Sequence, residues 1–254
     1  MKSTLVLLSG CAVFATLLTV HVQEKKYDAD SRSTAASAVR KVISCSPDWD
    51  RLKDWIEETS IPPLPGSGNL KWPIETKNDS AQFYFNQGIN TYYGFHIIES
   101  RASFQKAAKF DSTSAMIWWG IALSFGPNIN DVEYPIFPEA LDAVSKAVRY
   151  GDKTTAREKI LIASQQVRYS ADSTISRTTL NQHYADKMQE AYRLYPKDAE
   201  IAALYADAIM LQHPWDLWLP SGKPKPWTPL IRQVLEKGLA INDAHPGLNH
   251  YYIH

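Results

Sequence analysis

The chain has 254 residues, 44% of them apolar, which is enough to bury one large core or two small ones and excludes disorder of the whole. Lys plus Arg and Asp plus Glu both number 27, and no basic stripe interleaves with aromatics, so the composition argues against a nucleic-acid partner. Cys11 and Cys45 form no CxxC or CxxCH pattern, which excludes zinc-ribbon, thioredoxin-like and c-type haem sites and any dependence on disulfides.

Lys2 precedes an apolar run from Thr4 to Val22 that ends at Gln23, Glu24, Lys25 and Lys26, so residues 1–22 read as an export signal or a single membrane anchor. Leu8-Ser9-Gly10-Cys11 is similar to a bacterial lipobox and makes Cys11 a candidate lipidation site. The run continues beyond Cys11 and no A-x-A site closes it, which favours an uncleaved anchor over a lipoprotein or a cleaved signal. Each of the three fates puts the body outside the cytoplasm, in the periplasm or cell envelope, with the membrane reached through this segment alone.

Residues 23–78 read as a flexible spacer. It is polar and small from Glu24 to Ala38, and Ser46-Pro47 with Trp49, Leu52, Trp55 and Ile56 on one face predicts a short helix near 47–58. Ile61 to Gly68, with Pro62, Pro63, Pro65, Gly66 and Gly68, cannot continue that helix and reads as a linker.

From Asp79 the chain repeats itself. Tyr84, Gln87, Gly88 and Thr91 are answered thirty-four positions later by Trp118, Ile121, Ala122 and Phe125, with the small, large, small rhythm of Ser100, Phe104 and Ala107 between them. That is the register of a tetratricopeptide repeat, in which small residues let two helices cross closely. Gly126-Pro127-Asn128 breaks the period, and a loop insertion of about six residues carries the chain to a helix restarting at Pro138. Thr155-x-x-Glu158 is a capping box, a helix spans approximately Ser173 to Tyr195, and Ala202, Tyr205, Ala206 and Ile209 mark another. His213 to Trp227 reads as a long aromatic loop, which Thr228-Pro229 ends. No stretch alternates with period two, so the expected fold is all-α: a helical-repeat solenoid over residues 79–254.

His245-Pro246-Gly247 predicts a turn, and Leu248 to His254 the opening of one more repeat helix. Such a helix needs a partner to bury its apolar face, so the repeat domain is expected to be incomplete at its C-terminal end. Phe85-Asn86-Gln87-Gly88, Ala115-Met116-Ile117-Trp118-Trp119-Gly120, Pro214-Trp215-Asp216-Leu217-Trp218 and the run from His245 to His254 together resemble a group of exported bacterial tetratricopeptide-repeat proteins. The likeness covers the chain from about Gln82 onward. It implies that relatives continue past the equivalent of His254 into a glutamate and a second histidine-rich segment, and it implies a fold more than an activity.

Two candidate sites follow. In the repeat register Asn86, Ile89, Tyr92, Tyr93, Trp119, Leu123, Leu204 and Asp207 face the concave side, where rings supply area and polar groups supply register for a protein or peptide partner. Packing between helices competes with that reading at each position singly. His250 and His254 share a helical face with His245 across the turn, and a transition metal (zinc, iron or copper) would take such imidazoles with one or two further ligands. Tyr251 stands where an HExxH motif has its glutamate, so a zincin mechanism has no base. With no GxSxG, no phosphate-cradling glycine loop and no paired-carboxylate signature, the sequence favours a binding scaffold over an enzyme, with the metal site as the alternative.

Overall fold

The computed structural model describes residues 61–131 and 137–254. The apolar segment 1–22 with Cys11, the spacer up to residue 60 and the short helix expected near 47–58 lie outside the described residues. Among those described there are nine α-helices and no strand. They are α1 (Asp79–Tyr93), α2 (Ile97–Phe110), α3 (Ala115–Ser124), α4 (Pro138–Arg149), α5 (Ala156–Arg168), α6 (Arg177–Leu194), α7 (Ala199–Met210), α8 (Thr228–Ile241) and α9 (Pro246–Ile253). None of them is long and apolar enough to cross a membrane.

Local chemistry sets the boundaries. Asn78, Ser176 and Asp198 cap α1, α6 and α7 by accepting a backbone N–H of the first turn. Thr155 and Glu158 form the full reciprocal box at the start of α5. Proline in the first turn opens α4, α8 and α9, where its missing N–H costs nothing.

Each odd-numbered helix packs on the even-numbered helix that follows it, and the pairs then stack on one another: α2 on α3, α4 on α5, α6 on α7. Phe104 of α2 is the wedge between the first two pairs. A Cβ on Gly88 of α1 would lie 2.7 Å from its ring and one on Gly120 of α3 would lie 2.6 Å away, so both helices reach it only because those residues are glycine. α9 lies against α7, α8 and α1. The meeting of α9 with α1 brings the two ends of the helical array together and encloses the residues between them. The His250 Nδ1 and the Tyr93 carbonyl oxygen sit 2.6 Å apart at this closure, and the Tyr93 hydroxyl donates to Glu200 on α7 at 2.9 Å.

Candidate functional site

The polar residues of α1 form a stripe. Gln82, Asn86 and Asn90 recur every four residues with Gln87 beside them, and a helix places these on one side. Across that stripe runs the segment read from sequence as a linker. It forms an ordered strap from Ile61 to Thr76, in which Ile61, Trp72 and Ile74 are buried.

Apart from a turn in which Ser67 N–H donates to the Leu64 carbonyl at 3.3 Å, the strap is extended, and the α1 amides supply partners for its backbone groups. Leu64 N–H donates to Gln87 Oε1 at 2.8 Å, and Gln87 Nε2 donates back to the Pro62 carbonyl at 3.2 Å. Asn90 takes both main-chain groups of Leu70, accepting its N–H at 3.1 Å and donating to its carbonyl at 2.8 Å. Asn86 accepts the Trp72 N–H at 3.0 Å, while Gln82 donates to the Trp72 carbonyl at 2.9 Å and accepts the Ile74 N–H at 3.0 Å. A primary amide offers a donor and an acceptor side by side, so it can stand in for a neighbouring β-strand. Leu70, Trp72 and Ile74 alternate, as a strand read along one edge requires. Gly68, at φ 126°, lets the chain come in against Asn90, where a Cβ would lie 2.2 Å from the amide oxygen.

Trp72 anchors the strap. Its ring meets Phe85 edge-on at 5.9 Å and Trp119 at 5.3 Å, and the Arg157 guanidinium sits over it at 4.8 Å. Arg157 is held in turn by an ion pair to Asp198, and Trp119 by a bond from its Nε1 to the Leu161 carbonyl at 3.0 Å. Residues of α1, α3, α5 and the cap of α7 thus converge on one side chain.

Of the eight residues expected to face a partner, Ile89, Tyr92, Tyr93, Trp119, Leu123, Leu204 and Asp207 are all buried. Asn86 and Trp119 touch the strap, while Tyr92, Tyr93 and Asp207 lie near Tyr251 and His245 of the last helix and its cap. Tyr92, Asp207, Arg168, Tyr169, Tyr184 and Tyr251 share one interior. Arg168 is fully buried, donates to the Pro127 carbonyl at 2.7 Å and lies over the Tyr184 ring at 4.2 Å. Its Nε and Nη1, both Asp207 oxygens and the Tyr184 and Tyr251 hydroxyls have no hydrogen-bond partner among the described residues. Burial lifts the Asp207 carboxyl to about 7, against the pull of Arg168 and of the Tyr251 hydroxyl, which is near it but outside hydrogen-bond geometry. Burial likewise holds the Tyr92, Tyr93 and Tyr251 hydroxyls well above their ordinary range, with the Asp207 charge adding to it for Tyr92 and Tyr251 and that of Glu200 for Tyr93.

The three histidines do not act as a set. His245 is the N-cap of α9: its Nδ1 accepts the Leu248 N–H at 3.2 Å, and its Nε2 lies 3.2 Å from Glu200 Oε1 without hydrogen-bond alignment. His250 and His254 stack with ring centres 5.4 Å apart, between Phe95 and, on His254, Trp215. Among the described residues no group of three His, Cys, Asp or Glu converges to hold a metal ion.

The aromatic loop of 211–227 is stitched down rather than free. His213 stacks on Trp227 at 3.7 Å, the Trp227 Nε1 donates to the Asp216 carbonyl at 2.8 Å, and Leu217 is buried. Two cavities, of about 90 and 220 Å³, adjoin it and share Leu217, Trp218 and His254 as lining.

Sequence reasoning missed Gln82, Gln87, Asn90, Trp72 and Arg157. The signal was available as an amide stripe at helical spacing immediately after a proline-rich stretch, a pattern that suits a backbone-reading face. No protein-family model matches the chain, and no curated protein or solved structure does either.

Proposed function

We propose that this protein is an exported, membrane-tethered helical-repeat scaffold of the tetratricopeptide type, and that it binds a protein or peptide partner as an extended segment laid along its odd-numbered helices. The observation that carries the reading is the α1 amide stripe, above all Asn90, which takes both main-chain groups of one extended residue at 3.1 and 2.8 Å. Side-chain amides that pair with a backbone recognise any extended chain, while a pocket such as the Trp72 cage adds preference for one side chain. The thirty-four-residue recurrence, the stacking of successive helix pairs and the glycines that seat Phe104 support the repeat assignment.

The test is selection of peptides from a random library on the purified protein, followed by hydrogen exchange with and without the selected peptide. The expected result is slowed exchange within α1 and α3, and loss of binding when Gln82 and Asn86 are both changed to Ala. Peptides that bind but protect neither helix would reassign the surface.

A further inference from the structure

We propose that residues 61–76 are a built-in ligand: the α1 groove is a site for an extended peptide of aliphatic-x-aromatic-x-aliphatic character, now filled by Leu70-Lys71-Trp72-Pro73-Ile74. This rests on the peptide-scaffold reading above and gives it a ligand class and a gate.

The strap is bound the way a separate chain is bound. Its main-chain hydrogen bonds at Pro62, Leu70, Trp72 and Ile74 and from the Leu64 N–H go to side chains of a helix rather than to a sheet, while the Leu64 carbonyl accepts from Ser67 within the strap. Nothing in those bonds requires the strap's own sequence, since an amide pairs equally with the backbone of any extended segment. Sequence enters at two places. Trp72 fills the cage of Phe85, Trp119 and Arg157, and Gly68 permits the close approach over Asn90. A competing peptide therefore needs an aromatic in the cage and a glycine four positions before it, with aliphatic residues two positions to either side of the aromatic.

The strap is also built to leave. Pro62, Pro63 and Pro65 keep it from joining a helix, and the turn at Gly66-Ser67-Gly68, with both glycines at positive φ, holds no buried side chain. Leu64 and Leu70 are only half-buried. Its buried side chains are Ile61 at one end and Trp72 and Ile74 at the other, next to the start of α1, so the stretch between them holds the stripe through main-chain bonds and half-buried side chains. While the strap is seated, a peptide in solution meets an occupied site, and its apparent affinity falls by the fraction of molecules that are open.

The experiment titrates a fluorescein-labelled peptide with the sequence of residues 61–77 into the full-length protein and reads anisotropy. Wild type is compared with Trp72→Ala, which empties the cage, and with Leu70→Pro, which removes one strap N–H and leaves the groove and Trp72 intact. The expected result is binding at least about tenfold tighter to both variants than to wild type. A peptide with Ala in place of its tryptophan should not bind. Equal affinity for all three proteins overturns the proposal, as does no binding to either variant when its helical circular dichroism matches wild type. Peptides selected from the random library separate the two readings. If they bind wild type and variants alike on α1, the groove stands and the built-in ligand falls; if neither library nor strap peptide binds any form, both fall.

Discussion

Two regions of this molecule bury polar groups by opposite means. At the strap, every amide on the α1 stripe meets a backbone group, and the contacts lie between 2.8 and 3.2 Å. In the interior near α1 and α9, Arg168 and Asp207 are more deeply buried, yet four of their polar atoms have no partner among the described residues. The first region gains geometric specificity from its polar atoms, because each bond fixes the register of the strap. The second buries the Arg168 cation near the Asp207 carboxyl, with no direct bond between them, among tyrosine rings. Polar burial is therefore no single quantity in this fold.

The largest effect expected from that contrast is at Arg168. Arg168→Met keeps much of the volume but removes the cation beside Asp207, the bond to the Pro127 carbonyl and the guanidinium over Tyr184. The expected loss is about 3–5 kcal/mol by urea denaturation, from a hydrogen bond of a charged donor and a desolvated cation–π contact removed together. A loss below about 1 kcal/mol would show that neither contact holds the fold.

Next in size is the pH dependence of Asp207. Its carboxyl is lifted from the ordinary carboxylate range to about 7 in the folded state, so between roughly pH 4 and 7 the folded chain keeps a proton that the unfolded chain has lost. The contribution is therefore favourable on the acid side and declines as pH rises through that window, by at most about 4 kcal/mol, with no further change above it. Subtracting the stability profile of Asp207→Asn from that of wild type isolates the slope. An identical profile in the variant would mean that Asp207 titrates at its usual value.

The strap predicts a smaller effect of a different kind. Asn90→Leu leaves the Leu70 N–H and carbonyl without their partners, at an expected cost of about 2 kcal/mol, and Gly66 to Gly68 should become a site of rapid proteolysis while the helical body stays intact. Wild-type resistance in the variant would mean that Trp72 alone seats the strap.

How much of this was legible in sequence follows from the range of each interaction. Helix starts at Pro138, Thr155 and Thr228 were readable because a cap is settled within four residues. At the crossing, Gly88 and Phe104 were legible as a small and a large residue, but the second small residue against Phe104 is Gly120, where the thirty-four-residue spacing pointed to Ala122. The exposure of the concave residues was not legible. Tyr93 meets Glu200 across 107 positions and His250 across 157, and Tyr92 and Asp207 share their interior with Tyr251 of α9, contacts that no local pattern announces. The strap was missed for a related reason: prolines and glycines forbid a helix but say nothing of what an extended chain lies against, so Asn86 was assigned to an open face and its neighbours Gln82 and Asn90 to none.

The smallest expected change tests the contrast most sharply. The Tyr184 hydroxyl is fully buried and has no partner among the described residues, and Arg168 rests on the ring face rather than on the oxygen. Tyr184→Phe removes only that oxygen. If the site is as dry as its contacts indicate, the variant should lie within about 0.5 kcal/mol of wild type or be slightly more stable, because an unpaired hydroxyl carries a desolvation cost and returns nothing. If ordered water satisfies the Arg168, Asp207 and tyrosine atoms together, the same change should cost about 1–2 kcal/mol and couple to Asp207→Asn in a double-mutant cycle. In that case the two regions differ only in what fills the gap: an amide from α1 at the strap, solvent at the interior.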